Sequence, residues 1–133
     1  MYPTLEDARA LAASGAYRRI PICMELMSDA FTPVEVLRTL RSASKHCFLL
    51  ESAEDSRQWG RYSFLGYAPS LEITCSCGRL RVTRDPESDQ PRVEEQTVAH
   101  PGDALRKVIR EYRSPRIENL PPFTGGLVGF FLF

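Results

Sequence analysis

Near its end the chain runs through seven uncharged residues, Leu127-Val128-Gly129-Phe130-Phe131-Leu132-Phe133, and this stretch narrows the possible folds more than any other. It is β-prone and strongly hydrophobic, and left unpaired it would template aggregation. It therefore reads as a central strand that needs neighbours on both sides, in a chain cut before those neighbours are supplied. It is also far shorter than the ~18 apolar residues of a membrane-crossing helix.

Upstream, short punctuated elements follow one another. Thr4 and Asp7 have capping-box spacing, and Leu5, Ala8, Leu11 and Ala12 repeat at helical intervals until Gly15 stops them, which predicts a short first helix. Ile20 to Met27 is apolar apart from Pro21 and Glu25 and predicts a strand, with the early proline at an edge or at the strand's own start. Thr32-Pro33-Val34-Glu35 combines a capping threonine, proline at the first helical position and a glutamate able to reach back, so a helix is expected from Pro33 to about Ser42. Cys47 to Leu50 reads as a buried strand leading straight into Glu51-Ser52. Tyr62, Phe64 and Tyr67 suggest a further strand, and Leu71 to Cys77 with Leu80 to Thr83 form a hairpin about Gly78. Asp85 to Arg92 is an exposed loop by composition, and Val93 to Val98 adds another strand. Asp103 to Tyr112 carries Leu105, Val108, Ile109 and Tyr112 on one helical stripe, and a proline-containing connection runs from Arg113 to Thr124. The sequence is therefore α+β, with no repeat or low-complexity tract to mark a second domain.

Composition removes several classes of function. Lys plus Arg equals Asp plus Glu at 17 each, so the formal charge is zero and no basic excess exists to neutralise nucleic acid or an anionic membrane. In a 133-residue chain that is 43% apolar, one core is expected, burying roughly two-thirds of the extended surface. MYPTLEDARA has neither the basic nor the apolar region of a signal peptide, which points to the cytoplasm. Cys23, Cys47, Cys75 and Cys77 lack a secreted-domain framework and read as reduced. Cys75 and Cys77 would share one face of a strand, but they lack the spacing and second ligand pair of a zinc site.

Catalytic constellations are absent from the sequence pattern. His46 and His100 have no serine, cysteine or carboxylate that spacing places beside them and read as solvated loop residues. Gly125-Gly126-Leu127-Val128-Gly129 lacks the lysine and hydroxyl of a phosphate loop, leaving close backbone approach at a strand start. The segment from Phe48 to Tyr67, FLLESAEDSRQWGRYSFLGY, differs. A strand ending in Glu-Ser, followed by Trp-Gly-Arg-Tyr, can bring a carboxylate, a hydroxyl and a guanidinium beside apolar and aromatic walls. Glu51 can accept from an α-ammonium and Arg61 can donate to an α-carboxylate. The same residues equally form a rim ion pair from Glu51 to Arg61 with Trp59 as core filler.

Three stretches then carry a family resemblance: FLLESAE at Phe48 to Glu54, WGRYSFLGYAPSLEI at Trp59 to Ile73, and LPPFTGGLVGFF at Leu120 to Phe131. In order and spacing they resemble the N-terminal part of the anthranilate synthase component I family, the chorismate-using enzymes that open tryptophan biosynthesis. The resemblance implies an N-terminal regulatory domain over 1–133, truncated before the chorismate-binding catalytic domain and inactive alone. It implies that Leu50, Glu51 and Ser52 bind L-tryptophan in the feedback site, with Arg61 as the matching basic residue. The catalytic residues and the Mg2+ ion would belong to the domain that follows. It implies a four-layer α/β/β/α sandwich with mainly antiparallel sheets, incomplete here, and a glutamine amidotransferase subunit, component II, as partner. One departure stands out: after GGLVG the family continues with an aromatic pair, a serine and Tyr-Asp, whereas here Phe130-Phe131 is followed by Leu132-Phe133. The folate-pathway sister, aminodeoxychorismate synthase component I, is the near alternative, disfavoured by Glu51. A stand-alone amino-acid-binding module is the alternative from another class.

Overall fold

The computed structural model describes residues 1–51, 62–118, 120, 121 and 123–132. Among these residues eight elements follow in chain order: α1 (Leu5–Ala13), α2 (Pro33–Ala43), β1 (Cys47–Leu50), β2 (Phe64–Tyr67), β3 (Leu71–Ser76), β4 (Arg79–Arg84), β5 (Arg92–Thr97) and α3 (Pro101–Glu111). All strand pairings are antiparallel, so the class is α+β as the sequence predicts. The chain divides into two compact units, residues 28–99 and residues 1–27 with 100–133.

In the first of these units, α2 begins at a complete capping box. Thr32 Oγ1 accepts from the Glu35 amide at 3.3 Å, while Glu35 Oε2 accepts from the Thr32 amide at 2.8 Å. Two otherwise orphaned amides are thereby satisfied, and Pro33 presets the first turn. The two backbone and side-chain bonds from Thr32 hold the Glu35 carboxyl below its ordinary value. Val36, Leu37 and Leu40 are half-buried on the face of α2 that packs against β1 and β2. Those strands form a two-stranded ladder with Phe48 opposite Gly66 and Leu50 opposite Phe64. Glycine is required at 66, because the Phe48 ring occupies the space a Cβ would take. The expectation of a buried β1 is corrected here: its residues are half-covered, and Leu50 is 46% exposed.

A second sheet in the same unit has the order β3-β4-β5. Its β3–β4 hairpin turns through Cys77 and Gly78, with φ of +49° and +75°. Positive φ at both central residues gives the primed turn whose twist matches the flanking strands. This also corrects the placing of Cys77, which lies in the turn and does not extend the face of Cys75. On the central strand β4, Leu80 is 2% and Val82 9% exposed, while Arg79 and Arg81 point outward. The period of two has placed the apolar side chains on one face. Arg81 faces Glu95 across the strands, with 2.7 Å between Nη2 and Oε1.

In the unit of residues 1–27 and 100–133, α1 starts at the Thr4–Asp7 capping box. Segment 20–27 forms no strand. Its one ladder contact is a bridge between Tyr2 and Cys23, with N–H to O distances of 2.7 and 2.6 Å. Pro21 has no N–H to give, so pairing begins only past it and does not propagate. Tyr17 to Arg19, just before that segment, meet the end of α3 through three pairs. Arg18 bonds Glu111 at 2.9 Å, Arg19 lies 5.0 Å from the Tyr112 ring centroid, and Arg113 lies 5.9 Å from that of Tyr17. Along the α3 stripe Leu105, Val108 and Tyr112 are half-buried, whereas Ile109 is 58% exposed.

Leu127 to Leu132 form no strand either. Phe130, Phe131 and Leu132 are 83%, 72% and 88% exposed, and no strand lies alongside among the described residues. β-prone side chains do not make a strand without a partner to accept the ladder. Phe133 lies outside the described residues. Of the three glycines only Gly126 is closely approached, by the Phe123 ring at 3.3 Å from where a Cβ would stand, whereas a side chain at Gly125 or Gly129 would meet nothing within 4 Å. No helix among the described residues is long and apolar enough to cross a membrane.

Candidate functional site

Antiparallel pairing of β1 with β2 decides what stands at the end of the ladder. Because Leu50 pairs with Phe64, the next residue outward on each side is Glu51 and Ser63. The Ser63 hydroxyl donates to Glu51 Oε1 at 3.3 Å. Flanking Ser63 in sequence, the Tyr62 and Phe64 rings approach with 5.8 Å between centroids at a 37° tilt. Leu50, at the last ladder position, is 46% exposed.

The structure therefore brings Leu50 and Glu51 together with a hydroxyl from the facing strand. Ser52 and Arg61, the other two residues assigned from the sequence, lie outside the described residues, as does Trp59. Chemically, the rim offers a carboxylate with an oxygen to spare for an ammonium. Ser63 was missed in the sequence reading, although it stands one residue before β2, and strand register alone reveals it.

A cleft of about 540 Å³ lies in the other unit, lined by Tyr2, Pro3, Asp7, Leu11, Pro115 and Arg116 among others. It shares no residue with this rim. Among the described residues no cluster of three His, Cys, Asp or Glu side chains can hold a metal ion, and Cys23, Cys47, Cys75 and Cys77 are all free thiols.

His46 is a loop residue whose side chain is still 39% exposed, but it has carboxylate partners that spacing did not place beside it. Glu87, from the loop after β4, places Oε1 2.8 Å from His46 Nδ1 and 2.8 Å from the His46 amide. Because a carboxylate only accepts, Nδ1 carries the hydrogen of that bond. Glu72 on β3 stands 3.6 Å from the other ring nitrogen. The Ser44 hydroxyl donates to Glu87 Oε1 at 2.8 Å and accepts from the Ala68 amide at 3.0 Å. Hydrogen bonds from His46 and then Ser44 hold the Glu87 carboxyl below its ordinary value, against the opposing pull of desolvation. A serine, a histidine and a glutamate are thus adjacent, but not as a nucleophilic triad. Ser44 is 6% exposed, and its hydroxyl serves Glu87 and two backbone amides where a nucleophile would need the imidazole. His100 is exposed at the N-terminal cap of α3 and makes no capping bond with its side chain.

With that geometry established, similarity to known proteins is extensive in sequence. The chain is 38% identical over 128 residues to anthranilate synthase component 1 of Arthrobacter globiformis, covering 96% of this chain and 23% of that relative. It is 33% identical over 130 residues to the protein of the same name from Acetivibrio thermocellus, covering 98% of this chain and 25% of the relative. The Aquifex aeolicus protein of that name is 33% identical over 132 residues, with the same two shares of 98% and 25%. The chain thus spans about a quarter of the length of the curated relatives it matches. No protein-family model and no solved structure matches it.

Proposed function

We propose that this chain, which is related along nearly its whole length to anthranilate synthase component 1, is the N-terminal regulatory region of such an enzyme and contributes its L-tryptophan feedback site. The observation that carries the reading is the 38% identity over 96% of the chain to a relative of that name. The ladder end supports it chemically. Glu51 supplies an acceptor for the α-ammonium and Ser63 a hydroxyl that orients the carboxylate, with Leu50 the exposed neighbour at the last ladder position. Ser52 and Arg61 complete the proposed set, with the Arg61 guanidinium receiving the α-carboxylate.

On this reading the parent enzyme converts chorismate, with ammonia or glutamine, to anthranilate and pyruvate in the first step of tryptophan biosynthesis. The residues for chorismate and Mg2+ belong to its catalytic domain, and a glutamine amidotransferase subunit delivers ammonia. Tryptophan acts by binding the inactive arrangement more tightly than the active one, which is the only way a ligand shifts such an equilibrium. The cytoplasm is the compartment where this pathway chemistry fits.

The test is inhibition of a full-length anthranilate synthase carrying this region, with and without Glu51→Ala. Loss of a charge-assisted hydrogen bond of roughly 1.5 to 3 kcal/mol raises the half-inhibitory tryptophan concentration about 10- to 100-fold. An unchanged half-inhibitory concentration would remove Glu51 from the site.

A further inference from the structure

The β1–β2 ladder has only four residue pairs, and the candidate site occupies one end of it. Two-stranded ladders are marginal by themselves, and a register slip of one residue turns every side chain to the opposite face. Something must therefore hold the register. At the end opposite Glu51, residues from three separate segments converge.

Ser44, the residue that closes α2, is the hub. Its hydroxyl accepts from the His46 amide at 3.2 Å, one residue before β1, and from the Ala68 amide at 3.0 Å, one residue after β2. One buried oxygen therefore joins the start of β1 to the finish of β2. Ala68 adopts φ of +46°, a conformation non-glycine residues take rarely, so the chain turns away directly after this bond. Glu87 then accepts from the Ser44 hydroxyl and from both the amide and the ring of His46, each at 2.8 Å. Glu87 itself is set by a turn, because the Ser88 amide donates to the Asp85 carbonyl and the Asp85 amide to the Ser70 carbonyl, both at 3.0 Å. The loop after β4 thus ties the three-stranded sheet to the ladder that bears the site.

We propose that Glu87 is a positioning residue for the tryptophan site, fixing the β1–β2 register through Ser44 and His46 so that Leu50 and Glu51 are presented at the far end, roughly 16 Å along the strand. The proposal rests on the reading of Glu51 given above. Its action is on presentation of the site, so it alters feedback and leaves uninhibited catalysis alone.

The experiment uses a full-length anthranilate synthase carrying this region, in four forms: unmodified, Glu51→Ala, Glu87→Ala and Glu87→Gln. Each is assayed for half-inhibitory L-tryptophan concentration and for turnover without tryptophan. Glu87→Ala should raise the half-inhibitory concentration about fivefold or more with unchanged uninhibited turnover. Glu87→Gln keeps a carbonyl acceptor for the His46 amide and the Ser44 hydroxyl and should restore most of the sensitivity. A normal response of Glu87→Ala alongside an impaired Glu51→Ala would overturn the positioning role and leave the site standing. A proportionate loss of uninhibited turnover in Glu87→Ala, or no rescue by glutamine, would also overturn it. A normal Glu51→Ala would sink the site itself and this inference with it.

Discussion

The two sheets of residues 28–99 are stabilised in different ways. The β3-β4-β5 sheet draws on its own residues: Leu80 and Val82 are buried on its central strand, a primed turn joins β3 to β4, and Arg81 pairs with Glu95 across β4 and β5. The β1–β2 ladder borrows its support. It leans on α2, it makes room for the Phe48 ring only because residue 66 is glycine, and it is closed by Glu87 from a loop beyond β4. The candidate site is on the dependent sheet. A rim whose order comes from elsewhere can be altered from elsewhere.

The largest effect that would sharpen this contrast is expected from Leu80→Ala. Leu80 is 2% exposed, and truncating a buried leucine costs about 2 to 5 kcal/mol, so denaturant unfolding should show the three-stranded sheet lost or strongly weakened. Retention of full stability would mean that this sheet does not carry its own core. Next comes Gly66→Ala, where the added methyl meets the Phe48 ring and overpacking costs about 1 to 3 kcal/mol. Amide exchange should quicken in β1 and β2 while β4 stays protected, and equal loss in both sheets would break the comparison. A double-mutant cycle on Arg81 and Glu95 should return only about 0.2 to 1 kcal/mol, because both side chains are largely exposed. A larger coupling would make that pair a main support of the sheet.

The smallest effect is expected on acidification. Among the described residues two carboxyls are held below the ordinary value of 4.5, Glu35 by its bonds to Thr32 and Glu87 by its bonds to His46 and Ser44. A carboxyl lowered in the folded state contributes stability that is complete above its unfolded value and is lost as pH falls through its folded value. Both groups serve α2 and the β1–β2 ladder. Amide exchange followed as pH is lowered through and below 4.5 should therefore loosen that side first. Simultaneous loosening of β4 would count against the division of labour.

Local signals were legible in the sequence where the physics is local. The capping boxes at Thr4 and Thr32, proline at position 33 and the turn at Gly78 each act within a few residues, and each appears where it was expected. The resemblance to anthranilate synthase component I, carried by FLLESAE and its companions, agrees with relatives 33% to 38% identical over nearly the whole chain. Failures came where a segment depends on a distant partner. Ile20 to Met27 and Leu127 to Leu132 have strand composition, but a strand exists only where another segment accepts its hydrogen bonds. His46 is the loop residue it was read as, but its partner Glu87 went unseen because it lies 41 residues away in sequence, a separation with no periodic signature. Within the candidate site, the pairing that places Ser63 beside Glu51 follows from register, which composition does not encode.

Surface composition bears on how the region must be handled. Met24, Leu26, Met27, Phe130, Phe131 and Leu132 are each at least 59% exposed. Apolar surface of this kind favours association, so the isolated chain is expected to self-associate in sedimentation experiments. A clean monomer at high concentration would show that these side chains are tolerated in water.

The most direct test of the regulatory account is anthranilate formation from chorismate, ammonia and Mg2+ by this chain joined to a catalytic domain of the family, with L-tryptophan added stepwise. The account predicts activity that tryptophan suppresses. Full activity that tryptophan leaves untouched would contradict it.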